Sequence, residues 1–305
     1  MGPVSIRKGS KNADFSGRQL LVLGAGYVGE ALCRQALARG IDTTALTRNR
    51  EKAQRLATLG VHCVIGDIAS REWHDLVPRN PDLVVNCVSS GGGGIEGYRH
   101  SYLDGMASMV AWACTRQGAG TLVYTSSTSV YPQGGGVRVD ESASLHPPAS
   151  EHAGILINTE EIARTWPGRV FILRLTGIYG PGRHHLLDAL RAGETVFSGK
   201  GDHRLNLVHL EDILSAVWRA LTASPEIKGE AFNVTDDEPV TKADLVGWLS
   251  ERVGREMPSF ADQPSSGRRT GVLERTIDNA RIKSVLGWAP LYPNFREGYR
   301  RILEA

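Results

Sequence analysis

No stretch of this 305-residue chain approaches the ~18 consecutive apolar residues that a membrane-spanning helix needs. Its first residues also lack the continuous apolar segment of a secretion signal, so the expected location is the cytoplasm, away from membranes. Cysteine is scarce: the four are Cys33, Cys63, Cys87 and Cys114, widely scattered and never in a C-x-x-C pair. That spacing argues against structural zinc or a disulfide framework and fits cysteines that simply pack in a reducing compartment. An excess of one charge is missing as well. With 35 Lys and Arg against 33 Asp and Glu, the formal net charge is +2, and no long basic run marks a nucleic-acid surface. What remains is a globular composition, 41% hydrophobic. It can build one large α/β domain or two smaller ones around a sizeable core.

The stretch from Gln19 to Arg50 organises the rest. Leu20-Leu21-Val22-Leu23 has the composition of a buried strand. Gly24-Ala25-Gly26-Tyr27-Val28-Gly29 follows at once and fits G-x-G-x-x-G. Val28, Leu32, Ala36 and Leu37 then share one helical face that stops at Gly40, and Thr43-Thr44-Ala45-Leu46 reads as a second strand. Strand, glycine turn, helix and strand in about 30 residues is the setting of a dinucleotide-binding fingerprint. A glycine turn in some other α/β domain is the competing reading. In the fingerprint, Gly24 makes the tight turn and Gly26 lets backbone N–H groups approach a pyrophosphate. Gly29 lets the helix lie close on the strand, and the helix turns its positive dipole end to the phosphates.

The end of the second strand bears on which dinucleotide binds. NAD sites usually carry an acid there, whereas an Arg suits the 2′-phosphate of NADP. This chain has Leu46-Thr47-Arg48-Asn49-Arg50, and Asp42 lies too early, at the strand's start. Arg48 is the candidate phosphate ligand, assisted by Thr47 and Arg50; the alternative is a solvated Arg opening a helix. NADP is expected ahead of NAD.

Residues 1–17 lack apolar periodicity and read as a flexible leader. Residues 18–178 read as a Rossmann-type domain, a doubly wound parallel sheet with helices. Its strands after the second are expected at Val61–Ile65, Leu83–Val88, Thr121–Thr125 and Val170–Leu175, with helices at Glu51–Leu59 and Ser101–Gln117. Four glycines, Gly91 to Gly94, form a loop able to lie against a ligand or merely to connect. Such sheets bind ligands beyond their C-terminal strand ends, which puts Asp67, Ser89, Ser126 and Ser127 on the rim of the glycine turn. Residues 179–305 read mainly as a smaller substrate-binding lobe, with some elements returning to the sheet. Short strands are expected at Leu205–Leu210 and Ala231–Val234, helices at Glu211–Leu221, Lys242–Val253, Ala280–Leu286 and Phe295–Leu303, and a loop at 261–275.

Several ordered motifs resemble the atypical and extended short-chain dehydrogenase/reductases, the NAD-dependent epimerase/dehydratase-like group. Besides the glycine turn they are Gly66-Asp67-Ile68, the run Tyr124 to Tyr131, the run Leu173 to Gly182, and Asn206 to Asp212. The likeness spans about Gln19 to Leu303. It implies that Asp67 and Ile68 flank an adenine and that Cys87, Val88 and Ser89 line the cofactor. It further implies that Thr176 to Ile178 lie near the nicotinamide and that Ser127 holds a substrate oxygen. The implied activity is that of an NADP-binding oxidoreductase or epimerase/dehydratase on a small polar carbonyl or hydroxyl compound, such as a nucleotide sugar. Homodimers through two sheet-flanking helices are common in the family.

The family's proton-handling Tyr-x-x-x-Lys pair occurs nowhere in this chain. Counting back from Glu160-Glu161, which commonly follows that Lys, puts Leu156 at the Lys place and His152 at the Tyr place; His152 is 25 residues after Ser127. An imidazole titrates near neutrality, which makes His152 a candidate general acid or base; the alternative is a plain cleft histidine. Tyr131 is a second candidate, set against a structural tyrosine. Arg183 is an expected anion clamp, His184 and His185 lack a third ligand with metal-site spacing, and His209 suits a packed, hydrogen-bonded role. A different class of function also fits the missing pair: a non-catalytic sensor or regulator that binds NADP(H). A weaker third reading is an isomerase or lyase that reuses the cleft without redox chemistry.

Overall fold

The computed structural model describes Phe15 and residues 17–115, 120–261 and 273–304. The expected leader and most of the expected 261–275 loop lie outside the described residues.

Seven strands form one parallel sheet: β1 Gln19–Leu23, β2 Asp42–Thr47, β3 His62–Ile65, β4 Leu83–Asn86, β5 Thr121–Ser127, β6 Val170–Leu175 and β7 Ala231–Val234. Their spatial order is β3-β2-β1-β4-β5-β6-β7. The order reverses direction between β1 and β4, which makes a topological switch point there. Strands buried on both faces read as continuous apolar runs, and Leu20 to Leu23 are each 0% exposed.

Helices cover both faces. On one side α1 Tyr27–Leu37, α7 Leu210–Leu221 and α9 Ala280–Leu286 share a core with Leu20, Val22 and Val85. On the other, α4 Gly105–Cys114 and α5 Glu151–Ala163 pack Met106, Met109, Trp112 and Ala163 against Leu21, Leu23 and Ile172. Helix α2 Arg50–Ala57 connects β2 to β3 and is capped by Asn49, whose side chain accepts from the Lys52 N–H at 2.8 Å. The helix expected from Ser101 begins earlier. α3 Gly94–Arg99 runs through a π turn at His100–Asp104 into α4. Gly92, Gly93 and Gly94 all have positive φ, so the glycine run ends by making the tight entry into that helix.

The remaining elements form a lobe beyond the strand ends. α6 His185–Arg191, α8 Lys242–Val253 and α10 Phe295–Leu303 bury Leu187, Leu245 and Phe295 in a separate apolar cluster. Short strand pairs tie this lobe together: Gly177–Tyr179 runs beside Leu207–His209, and Val137–Val139 beside Arg275–Ile277.

Two buried acids mark the seam between α7 and the lobe. The Asp212 carboxylate accepts from the Leu291 and Tyr292 N–H groups. Asp236 is 4% exposed, and among the described residues no side chain hydrogen-bonds either of its carboxyl oxygens. Burial, reinforced by Asp237, Asp212 and Glu238, pushes Asp236 up to about 9. The fold therefore holds this proton more tightly than the unfolded chain does. Its contribution is complete below about pH 4 and drains away as pH climbs toward about 9. Asp236→Asn, which keeps the shape and removes the ionisation, is expected to raise the melting temperature more near about pH 8 than near about pH 4. Equal shifts at both pH values in thermal melts would contradict this.

Candidate functional site

The C-terminal ends of β1 to β4 open onto a cavity of about 470 Å3 at the switch point of the sheet. Gly24, Gly26, Thr47, Arg48, Asp67, Ile68, Cys87, Val88 and Ser89 all line it. The glycine turn has two packing constraints. Gly24 has φ +91°, and a Cβ there would sit 2.7 Å from the Val88 backbone nitrogen; a Cβ on Gly29 would sit 2.1 Å from the Gly24 carbonyl oxygen. Gly26 is different. Its φ is −78°, and a Cβ there would meet nothing within 4 Å. No internal contact asks for glycine at this position, so the empty volume is room for a ligand at the start of α1. The first intrahelical bond runs from the Glu30 N–H to the Gly26 carbonyl. That leaves the Tyr27, Val28 and Gly29 N–H groups without intrahelical acceptors at the positive end of the dipole.

Tyr27, Val28, Gly29, Thr176 and Ile178 are not among the residues lining this cavity. The Val28 and Gly29 side positions face the core. The Tyr27 hydroxyl donates to the Pro181 carbonyl at 2.9 Å, and burial pushes it up to about 12. The Thr176 hydroxyl donates to the Val234 carbonyl at 3.3 Å, and Ile178 lies in a lobe strand. Tyr27 braces the turn against the lobe, while the Thr176 N–H donates to the Val234 carbonyl and Ile178 pairs with Val208 in the lobe's strand ladder.

At the far end of the cavity Arg48 leans over the glycine loop, with its Nη2 2.2 Å from where a Gly91 Cβ would be. Its Nη1 lies 3.7 Å from Asp67 Oδ2. Asp67 Oδ1 accepts from the Ala69 N–H at 2.9 Å, and Oδ2 lies 3.1 Å from His100 Nε2. Burial pushes the Asp67 carboxyl up, but the Ala69 N–H, His100 and Arg48 together hold it below the usual carboxylate range. Thr47 Oγ1 accepts from the Asn49 N–H, and Lys52 adds a second cation to the rim. Arg50, expected to assist, is the first residue of α2 and does not line the cavity. The Cys87 thiol is pushed up to about 12 by burial, so it lines the site as a small neutral group.

The residues expected to face substrate sit at and after the end of β5. Ser127 Oγ accepts from the Ser129 N–H at 3.1 Å and pairs with Ser129 Oγ at 2.9 Å. His152 is exposed on the first turn of α5, where its ring and that of Tyr98 meet in a T-shaped contact with centroids 4.7 Å apart. Leu156, at the Lys place, is 1% exposed and packs with Val130, Tyr131 and Ile157. Tyr131 must be withdrawn as a proton donor. It is fully buried, and its hydroxyl donates to Asn233 Oδ1 at 2.7 Å while accepting from Arg174 at 2.8 Å. Arg174 in turn grips Glu160 through Nε and Nη2, and Glu160 accepts from Ser126 at 2.7 Å. Arg183 lies over the Tyr27 ring at 5.6 Å, and His184 pairs with Asp188 at 2.9 Å. His209 is buried, caps α7 by accepting from the Glu211 N–H, and is pushed down to about 4 by burial, so it is neutral.

Asn49, Lys52, Ser90, His100 and Tyr98 were missed from sequence, whereas Gly91, in the loop expected to lie against a ligand, lines the cavity. Asn49 carried a usable signal as a cap residue before an amphipathic run. His100 carried none, since its place depends on the π turn.

The family model described as "NAD dependent epimerase/dehydratase family" matches residues 20–235. The chain belongs to that family. Within and beside it, the chain is 28% identical over 284 residues to Protein YeeZ of Escherichia coli (strain K12), covering 91% of this chain and 97% of that one. It is 29% identical over 257 residues to a 2-alkyl-3-oxoalkanoate reductase of Shewanella oneidensis, covering 75% of this chain and 64% of that protein. Among solved structures, UDP-glucuronic acid 4-epimerase from Bacillus cereus, with UDP-glucuronic acid and NAD, aligns with TM-score 0.81 and 18% identity. That alignment covers 94% of this chain and 98% of the epimerase. MoeE5 in complex with UDP-glucose and NAD aligns with TM-score 0.80 and 22% identity, over 94% and 97% of the two chains. At these identities the structural likeness speaks for the fold.

The two glycines separate stability from binding. Gly26→Ala is expected to change stability by less than about 1 kcal/mol while weakening dinucleotide binding at least about tenfold. Gly29→Ala is expected to lower the melting temperature outright, because its methyl group overlaps a backbone oxygen. Thermal melts alongside nucleotide titrations distinguish them, and a destabilised Gly26→Ala would contradict the assignment.

Proposed function

We propose that this chain is an NADP(H)-dependent oxidoreductase acting on a small polar carbonyl or hydroxyl compound, with nucleotide sugars the favoured substrate class. The observation that carries the reading is Gly26: a residue with no internal need to be glycine, facing a cavity beside unpaired helix N–H groups. Membership of the family and the UDP-sugars in the two similar structures support the substrate class.

In this reading the Tyr27, Val28 and Gly29 N–H groups hold the pyrophosphate, Asp67 and Ile68 flank the adenine, and Arg48 with Thr47 takes the 2′-phosphate. Cys87, Val88 and Ser89 line the path toward the nicotinamide, which supplies hydride exchange when bound. Thr176 and Ile178 lie near the nicotinamide. Ser127 holds the reacting substrate oxygen, its own orientation set by Ser129. His152 moves the proton; it sits at the start of α5, which packs on the turn after Ser127. It has no lysine beside it, so proton transfer tracks imidazole chemistry rather than a phenolate.

Leu156 favours a second reading. An apolar, buried residue where the family keeps a cation suits a protein that binds NADP(H) as a sensor and leaves out the chemistry. The two readings part on turnover: a panel of polar carbonyl compounds incubated with NADPH reports oxidation by loss of nicotinamide absorbance, or its absence while binding persists.

Arg48→Asp is expected to lower NADP affinity about ten- to a hundredfold, the worth of a lost charge-assisted contact, with little effect on NAD. An unchanged NADP-to-NAD ratio by calorimetry would sink the cofactor assignment. For a compound that turns over, Ser127→Ala is expected to cost at least about a hundredfold in kcat. Full activity in that variant would remove Ser127 from the reaction.

A further inference from the structure

Arg48 can capture a 2′-phosphate only if its guanidinium is not already committed. Its nearest carboxylate is Asp67, and a hydrogen-bonded Arg–carboxylate fork is the strongest local alternative available to it. Yet Arg48 meets Asp67 Oδ2 only as a loose ion pair at 3.7 Å, beyond hydrogen-bonding distance, and among the described residues it makes no hydrogen bond. The Asp67 carboxylate is occupied by other donors. The Ala69 N–H takes Oδ1 at 2.9 Å, and His100 Nε2 takes Oδ2 at 3.1 Å, the oxygen that faces Arg48. The other imidazole nitrogen, Nδ1, lies 3.8 Å from Asp104 Oδ2, one turn further along.

The backbone that delivers His100 is unusual. His100 opens the π turn between α3 and α4, and a π turn re-aims the side chains around it. The helix then rests on the adenine loop at Gly105, where a Cβ would come within 2.6 Å of Ile68 Cγ2. The irregular turn and the glycine contact together bring the imidazole beside Asp67, between β3 and the helix that follows the glycine loop.

We infer that His100 is a positioning residue for cofactor choice: by holding Asp67 it keeps Arg48 free to bind the 2′-phosphate. This inference rests on the assignment of Arg48 to that phosphate. Without His100, Asp67 turns to Arg48, the two form a closed pair, and NADP must break that pair to bind. NAD, which needs nothing from Arg48, is indifferent.

The test measures NADP and NAD affinities of the full chain by calorimetry. His100→Leu is expected to lower NADP affinity about tenfold with NAD affinity unchanged, the second cofactor serving as a control for folding at this half-exposed position. His100→Gln, which restores a donor toward Asp67, is expected to recover most of the loss. In an Asp67→Asn background, where no carboxylate remains to capture Arg48, His100→Leu should cost NADP no more than it costs NAD. Three results would overturn the inference: equal loss of both cofactors in His100→Leu, no loss of either, or a selective NADP loss that persists in the Asp67→Asn background. If Arg48→Asp leaves the NADP-to-NAD ratio untouched, the underlying cofactor assignment fails and takes this inference with it. If Arg48→Asp shifts the ratio and His100→Leu does not, only the role of His100 is lost.

Discussion

The arrangement of the cofactor half depends on one backbone contact, the Gly24 carbonyl lying where a side chain of residue 29 would begin. With nothing but hydrogen at Gly29, the first turn of α1 drops onto β1. The helix N-terminus then points along the sheet's switch point rather than away from it. Gly24, in a left-handed conformation against Val88, turns the chain sharply enough to make that approach possible. A close-packed interior has no slack with which to absorb a methyl group there. The open space at Gly26, and with it the anion-binding character of the turn, follows from the other two glycines.

The end of β5 has a different anchor. Arg174 and Glu160 form a buried pair, 3% and 2% exposed, joined by Ser126, Tyr131 and Asn233. The network ties β5, β6, β7 and α5 together behind Ser127. Every group in it has a partner, which is the condition under which a buried ionic cluster is tolerated. It also accounts for Tyr131. Its phenol serves to satisfy Arg174 and Asn233, and those bonds keep it out of the cleft.

Much of this was legible in the chain. The fingerprint, the parallel sheet and the family follow from Leu20 to Gly29 and from the ordered motifs after it, because apolar runs and glycine spacing are local signals. Asp67 and Ser89 came from where strands end, a topological inference that needs no side-chain detail, and Cys87 from the family resemblance. Three things were not legible. The start of the helix at Gly94 was hidden because a glycine run reads as loop. The burial of Tyr131 depends on Asn233, about a hundred residues away in sequence. The position of His100 depends on a π turn that leaves no trace in residue type. Each is a long-range or conformational fact, whereas sequence periodicity reports only local ones.

The central claim is that the cavity at the switch point binds a pyridine nucleotide phosphorylated at the 2′ position. The direct measurement is a titration of the unmodified protein with NADPH and NADH in parallel, followed by nicotinamide fluorescence and confirmed by calorimetry. A saturable one-to-one complex with NADPH, tighter than that with NADH, is the predicted result. No complex with either nucleotide would contradict the account at its root, and tighter binding of NADH would contradict the role given to Arg48.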